Sequence, residues 1–247
     1  MKPKLSQVFL KNEQTLEKIA QIITASKKDV VFEIGAGKGQ LTKHLIKNAK
    51  KVIACEIDKA LMPYLKSLKA EVLHEDVLKA SIPKEATIIA GNIPYHLSGK
   101  ITEKALKEGK RCVLLYQKEF AQRLISLPGT KDYSRLTVLA KYLSIPKIRL
   151  IVSKNDFCPV PKVDSALVEF TPLKKKYDEK FFNFIKSIFK FKNKSVKNAL
   201  ICSRRDWSSE LDKRKIKEKI SKNSDKKVVS LSIPDLIIEY EAFNKQD

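Results

Sequence analysis

The segment Glu33-Ile-Gly35-Ala-Gly37-Lys-Gly39-Gln-Leu41-Thr42 decides the fold. It follows a β-branched run, Val30-Val-Phe-Glu-Ile34, and leads into a pattern that puts Leu41, Leu45 and Ile46 on one face of a helix. A glycine-rich turn between strand and helix is where an open α/β sheet offers its carboxyl edge to a ligand. Further along, Lys51-Val-Ile-Ala-Cys55, Glu71-Val-Leu73, Thr87-Ile-Ile-Ala90 and Arg111-Cys-Val-Leu-Leu-Tyr116 repeat the strand texture, with helical patterns such as Leu61, Leu65 and Leu68 between them. This alternation predicts a parallel, doubly wound sheet. Lys147–Val152 and Ser165–Phe170 add strands at the far edge, joined through a loop holding Pro159 and Pro161, with a pairing direction that sequence does not reveal.

After Phe170 the texture changes. Thr171-Pro-Leu-Lys-Lys-Lys176 reads as a polar hinge, and beyond it the spacing is helical: Phe181, Phe182, Phe184, Ile185, Ile188 and Phe189 form one apolar face, and Ile216, Ile220, Leu236 and Ile237 suggest others. The expected organisation is a catalytic domain over residues 1–172 and a small helical accessory domain over 173–247.

Composition narrows the class. The 247 residues are 43% hydrophobic and 32% charged with few Gly and Pro, which excludes a disordered or collagen-like chain. Fifty Lys and Arg against 28 Asp and Glu leave a formal charge of +22, a self-repulsion most easily tolerated when the partner is a polyanion, nucleic acid first among them. A lysine-rich surface common to a whole proteome is the alternative. Cys55, Cys112, Cys158 and Cys202 are widely separated with no Cys-x-x-Cys pair, so no zinc site is expected, and a reducing cytoplasm is the natural setting. Met1-Lys-Pro-Lys-Leu-Ser6 lacks a signal core and no stretch is apolar enough to span a bilayer, so no membrane association is expected.

The glycine loop suggests the cofactor. Glu56, about twenty residues beyond Gly35, ends the second strand, where a carboxylate can accept hydrogen bonds from both hydroxyls of a ribose. Gly35, Gly37 and Gly39 read G-x-G-x-G and lack the third glycine of the dinucleotide fingerprint, which favours S-adenosylmethionine over NAD. Asp76 after the third strand is placed to accept from an adenine amino group, with Ile57 and Val77 as flanking residues.

Asn92-Ile-Pro94-Tyr95 follows the fourth strand and lies at the same edge. An exocyclic adenine nitrogen is a weak nucleophile because its lone pair is delocalised into the ring. Acceptors on Asn92 and the Pro94 carbonyl would take its N–H groups and free that lone pair for in-line attack on a sulfonium methyl. Tyr95 would stack on the base, which must leave its helix or come from a loop, and Phe157 would supply the opposite face of an aromatic sandwich. An ordinary β-turn at Asn92–Tyr95 and a buried anchor at Phe157 are the plain alternatives.

Six segments in one order resemble the small-subunit ribosomal RNA adenine N6,N6-dimethyltransferases: Gln7-Val-Phe-Leu10, Glu33–Thr42, Asn92–Tyr95, Gln117-Lys-Glu-Phe-Ala-Gln-Arg123, Tyr133-Ser-Arg-Leu-Thr137 and Phe157–Ser165. The run Pro128–Leu136 resembles the archaeal branch. The resemblance implies a Rossmann-like, S-adenosylmethionine-dependent sheet with a helical C-terminal domain. It also implies methylation of two adjacent adenosines in a hairpin loop near the 3′ end of small-subunit rRNA, on a partly assembled 30S-type subunit, by a monomer with no obligate protein partner. By the same resemblance Gln7 and Leu10 approach the cofactor, Glu33 and Gly35 line its methionine side, Glu56 holds the ribose and Asp76 the adenine, Gly37 and Asn92 also border the cofactor, and no metal is implied. Asn92, Pro94 and Tyr95 act on the base with Phe157 behind it. Val8 stands where relatives carry Asn or His, which removes a polar contact.

Phosphate grips are expected from Arg111, Lys118, Arg123, Lys131 and Arg135 around the cleft and from Lys190, Lys192, Lys194, Lys197, Arg204 and Arg205 in the helical part. Rival readings are the related large-subunit rRNA methyltransferase of macrolide resistance, a nucleic-acid-binding assembly or transcription factor, and an NAD-dependent dehydrogenase.

Overall fold

Nine strands occur in the order β1 (Phe9–Leu10), β2 (Val30–Ile34), β3 (Lys51–Glu56), β4 (Glu71–His74), β5 (Ile88–Asn92), β6 (Arg111–Gln117), β7 (Ser144–Val152), β8 (Phe157–Cys158) and β9 (Ser165–Pro172). They come from a computed structural model that describes residues 8–24, 26–206, 221 and 223–244. Seven of them form one sheet in the order β4-β3-β2-β5-β6-β9-β7. The first five are parallel, as the alternating pattern requires, and every residue of β2 is buried because helices cover both faces of such a sheet. β9 runs antiparallel to β6, and β7 antiparallel to β9.

The chain winds outward from β2 to β4 and then returns to the other side of β2 at β5. At that switch point the loops leaving β2 and β5 diverge and open a crevice at the carboxyl ends of the strands. The glycine loop leaves β2 and Asn92 ends β5, so both motifs border the crevice.

Helices α1 (Glu13–Ile23), α2 (Gln40–Asn48), α3 (Met62–Lys66) and α4 (Ser98–Lys107) belong to the same unit. Asn12 caps α1 by accepting the Thr15 N–H at 3.1 Å, and Leu16, Ile19, Ala20 and Ile23 bury the helix's apolar stripe. Among the described residues β1 and β8 pair only with each other, antiparallel, as a short ribbon that the sequence did not predict.

Backbone contacts divide the chain into two units, Met1–Ala121 with Leu143–Lys175, and Gln122–Tyr142 with Lys176–Asp247. The expected boundary at 172/173 therefore shifts by three residues, and the helical unit also includes residues 122–142. Its described helices include α6 (Arg135–Leu143), whose first eight residues fall in the unit, α7 (Glu179–Phe189), α8 (Val196–Ser203) and α9 (Ile233–Asn244), while α5 (Lys118–Ile125) ends there. The six apolar residues expected on one face of α7 are all buried, with Tyr142 tilted against Phe181 at 5.0 Å and Tyr240 edge-on to it at 5.3 Å. Tyr133-Ser-Arg-Leu-Thr137 is a capping box: the Ser134 N–H donates to Thr137 Oγ1, and the Thr137 hydroxyl donates to the Arg123 carbonyl at 2.8 Å. Ile216 and Ile220 lie outside the described residues. Among the described residues no helix is long and apolar enough to cross a membrane.

Candidate active site

A cavity of about 280 Å3 occupies the crevice between the ends of β2, β3 and β5. Of the residues singled out above, Leu10, Glu33, Gly35, Gly37, Glu56, Ile57, Asp76, Val77, Asn92, Pro94 and Tyr95 all line it. Gln7 lies outside the described residues. Phe157 does not line the cavity.

On the cofactor side the backbone shapes the wall. Gly37 adopts a left-handed φ of +61°, and a Cβ there would sit 3.0 Å from the Phe9 ring, so the loop can turn this tightly only without a side chain. The Gly37 N–H donates to Glu56 Oε2 at 2.8 Å, while Oε1 accepts from Ile57 and Asp58 at 2.8 and 2.9 Å. A carboxylate has about four lone-pair sites. With three taken, the Glu56 carboxylate keeps acceptor capacity on the side that faces the cavity.

Asp76 Oδ1 accepts the Leu78 N–H at 2.9 Å, leaving Oδ2 as an acceptor between the apolar Ile57 and Val77. Acceptor, ribose anchor and apolar slot together suit an adenosine moiety. Glu33 is 2% exposed and accepts the Thr42 hydroxyl at 2.6 Å. Burial pushes its carboxyl up to about 8, against the pull of the Thr42 hydrogen bond and with the nearby Glu56 charge adding to the rise. Cys55, also in the wall, is held up to about 12 by burial and by the carboxylates of Glu56, Glu75 and Asp76, so it remains a neutral thiol.

On the opposite side the side chains are aimed from a distance. A Cβ at Gly91 would fall 2.3 Å from the Ile34 carbonyl oxygen, so glycine is what lets the end of β5 close against β2. Asn92 follows, and its Nδ2 donates to the Val8 carbonyl at 2.9 Å. That bond assigns the amide orientation and leaves Oδ1 as the end without a partner among the described residues. The Pro94 carbonyl accepts the Leu97 N–H at 3.0 Å and keeps one lone pair. Tyr95 is half-buried, its hydroxyl 3.1 Å from Ser165 Oγ. Burial raises its pKa, although the Ser165 bond pulls the other way, and the phenol stays neutral.

Phe157 pairs with Leu10 across the ribbon and is fully buried in a core that includes Leu16, Ile19 and Leu167. In this arrangement it packs in the core beside residues that themselves line the cavity, Leu10, Leu16, Ile19 and Leu167 among them.

The basic residues also sort themselves. Arg111 is bound to Glu169 at 2.7 Å and to the last carbonyls of α1, Ile22 and Ile23. Lys190 pairs with Asp206, and Lys192 donates to the Lys131 and Tyr133 carbonyls. These three expected phosphate grips are structural. Arg123, Lys131 and Lys194 are exposed, and Lys197 is partly so. Sequence reading gave no role to the Val8 carbonyl, Gly91, Asp156 or Ser165. For Gly91 a signal existed, an isolated glycine inside a strand pattern.

The seven-stranded sheet, its switch-point cavity and the glycine loop are those of a Rossmann-like methyltransferase. Residues 1–239 match the model of the ribosomal RNA adenine dimethylase family, and the chain belongs to that family. It is 39% identical over 234 residues to a probable ribosomal RNA small subunit methyltransferase A of Methanococcus maripaludis, covering 90% of this chain and 89% of that one. A protein of the same name from Methanosarcina barkeri is 40% identical over 205 residues, covering 79% and 71%. Among solved structures, a dimethyladenosine transferase from Plasmodium falciparum superposes with a TM-score of 0.82 at 27% identity, covering 96% and 98%. The 23S rRNA methyltransferase ErmE shares the fold at a TM-score of 0.68 and 24% identity, covering 96% and 99%.

Proposed function

We propose that this chain transfers methyl groups from S-adenosylmethionine to N6 of two adjacent adenosines in a hairpin loop near the 3′ end of small-subunit rRNA, giving N6,N6-dimethyladenosine. The substrate is the rRNA of a partly assembled 30S-type subunit late in its biogenesis. The chain acts in the cytoplasm as a monomer without an obligate protein partner. When bound, the cofactor supplies a methyl group made electrophilic by its sulfonium. Glu56 and Asp76 hold its ribose and adenine, with Gly35, Gly37, Leu10 and Glu33 around the remainder and Gln7 nearby.

The observation that carries this reading is the orientation of Asn92. Its Nδ2 is committed to Val8, so Oδ1 is left to accept one N6–H, and the remaining lone pair on the Pro94 carbonyl accepts the other. Both bonds favour a pyramidal nitrogen whose lone pair is no longer shared with the ring, and they act where charge develops. The Tyr95 ring stacks on the base, which must be extruded from its neighbours to reach the pocket. Arg123, Lys131, Lys194 and Lys197 hold the phosphates, so affinity for the RNA falls steeply with added salt. Salt-independent binding would contradict that grip.

The test uses labelled methyl donor and under-methylated small subunits, followed by nucleoside analysis and mapping on both rRNAs. Dimethyladenosine appears in the small-subunit hairpin. Methylation confined to the large-subunit RNA overturns the substrate. Tyr95→Ala loses most turnover while cofactor binding survives, and equal loss of both removes Tyr95 from the base site.

A further inference from the structure

Segment 156–165 touches Tyr95 at one end and, at the other, the stretch of chain that follows Val8, the partner of Asn92. At one end, Asp156 Oδ1 accepts from Asn12 Nδ2 at 2.8 Å and Oδ2 accepts from the Thr15 hydroxyl at 3.0 Å, while its carbonyl takes the Lys11 N–H at 2.8 Å. β8 follows at once and pairs Phe157 with Leu10 and Cys158 with Phe9. These contacts fix the chain from Phe9 to Thr15, and the next carbonyl outward, that of Val8, holds the Asn92 amide. At the other end Ser165, fully buried at the start of β9, places its hydroxyl against that of Tyr95. In between, the segment is tied down by Asp164, whose Oδ1 accepts the Lys154 N–H and whose carbonyl accepts the Lys118 N–H.

From this juxtaposition we infer that Asp156 and Ser165 are positioning residues, Asp156 for the Asn92 amide by way of the N-terminal strand and Ser165 for the Tyr95 ring. The inference rests on the reading of Asn92 and Tyr95 given above. The Tyr95–Ser165 pair is not needed to fill space, since an apolar pair of the same shape would leave no unpaired hydroxyl and would be close to neutral for stability. What the bond adds is direction: it restrains the half-buried ring at its outer atom, so the ring face presented to the cavity does not turn. The Asp156 carboxylate likewise gathers two side-chain donors from the cap of α1, although Asn12 Oδ1 already caps that helix without it. Its further effect is to hold the strand next to the Val8 carbonyl. A shift of that carbonyl would free the amide to rotate and offer the amine an N–H in place of the oxygen.

The experiment is a double-mutant cycle on the full-length chain, measuring methyl transfer to under-methylated small subunits together with the cofactor dissociation constant. Ser165→Ala and Tyr95→Phe each lower kcat by about ten-fold, as loss of reacting geometry does, and leave cofactor affinity within about two-fold. The double variant is no worse than either single one. A role for Ser165 in packing alone would make the two losses multiply, and that result, or full turnover in Ser165→Ala, overturns its assignment. Asp156→Ala lowers kcat by on the order of ten- to a hundred-fold. Asp156→Asn restores it, because an amide still accepts from Asn12 and can donate to the Thr15 oxygen. Full turnover in Asp156→Ala, or no rescue by Asn, overturns the assignment of Asp156. If Asn92→Ala and Tyr95→Ala themselves turn over normally, the reading of the base site fails. If those two are inactive while Ser165→Ala and Asp156→Ala are normal, only the positioning roles fail.

Discussion

The two sides of the cavity are built differently. On the cofactor side Glu56 is held by its own neighbours Ile57 and Asp58 and by Gly37, 19 residues away on the adjoining strand's loop. On the base side Asn92 is held from Val8, 84 residues away, and Tyr95 from Ser165, 70 residues away. The first wall forms as soon as the parallel strands pair. The second exists only when the N-terminal strand and the antiparallel return are both docked. Damage to one side should therefore appear as weak cofactor binding, and damage to the other as slow turnover.

Asn92→Ala gives the largest separation: turnover falls by on the order of a hundred- to a thousand-fold, as for other preorganised groups that act on developing charge, while calorimetry finds cofactor affinity within a few-fold of normal. Glu56→Ala does the reverse. Cofactor affinity drops about ten- to a hundred-fold, the worth of a hydrogen bond to a charged group, and kcat at saturating cofactor is largely kept. Gly37→Ala should blur the contrast, since the loop is strained at φ +61° and the new methyl group presses Phe9, the residue next to Val8. Scanning calorimetry should show a loss of about 1 kcal/mol from the incompatible backbone, and both affinity and turnover should decline.

The smallest effect is a pH dependence. Glu33, with its carboxyl at about 8, is mostly neutral at pH 6 and mostly ionised at pH 9. A cationic cofactor is attracted to the ionised form, so its dissociation constant improves several-fold over that interval in the wild type and stays flat in Glu33→Gln. Stability runs the opposite way. The folded-state pKa is raised, so the folded state keeps a proton that the unfolded chain releases above its ordinary 4.5, and stability falls as pH rises from there until it levels off above about 8. Glu33→Gln removes that fall, and thermal melts of both forms at pH 5 and pH 9 check it.

Much of this was legible in the sequence, for a physical reason. Parallel strands buried on both faces must be continuous apolar runs, so β2 to β6 could be read to within a residue or two, and the motifs at their ends had only one edge to occupy. The base-side supports were not legible. β1 and β8 are two residues each, too short for any periodicity, and their pairing over a gap of almost 150 residues leaves no local mark. For Phe157 the sequence left two readings, a platform for the base and a buried anchor, because an aromatic at a loop's start serves equally as either; in the fold it is buried. Residues 122–142, expected in the first domain, group by backbone contacts with the helical unit, and no change of composition marks the crossing at Ala121. Counting positive charge could not distinguish Lys131, which faces solvent, from Lys190, which is occupied by Asp206.

Arg111 has a consequence for how far this chain can be trimmed. α1 has no basic residue in its last turn, and the guanidinium arriving from β6 stands in for one, while Glu169 of β9 neutralises it and also takes up Arg149 of β7. A minimal version that kept the five parallel strands and discarded the two antiparallel ones would strand a cation beside the helix terminus with its counterion gone. The antiparallel pair of strands therefore supplies the charge balance of the parallel half as well as its edge.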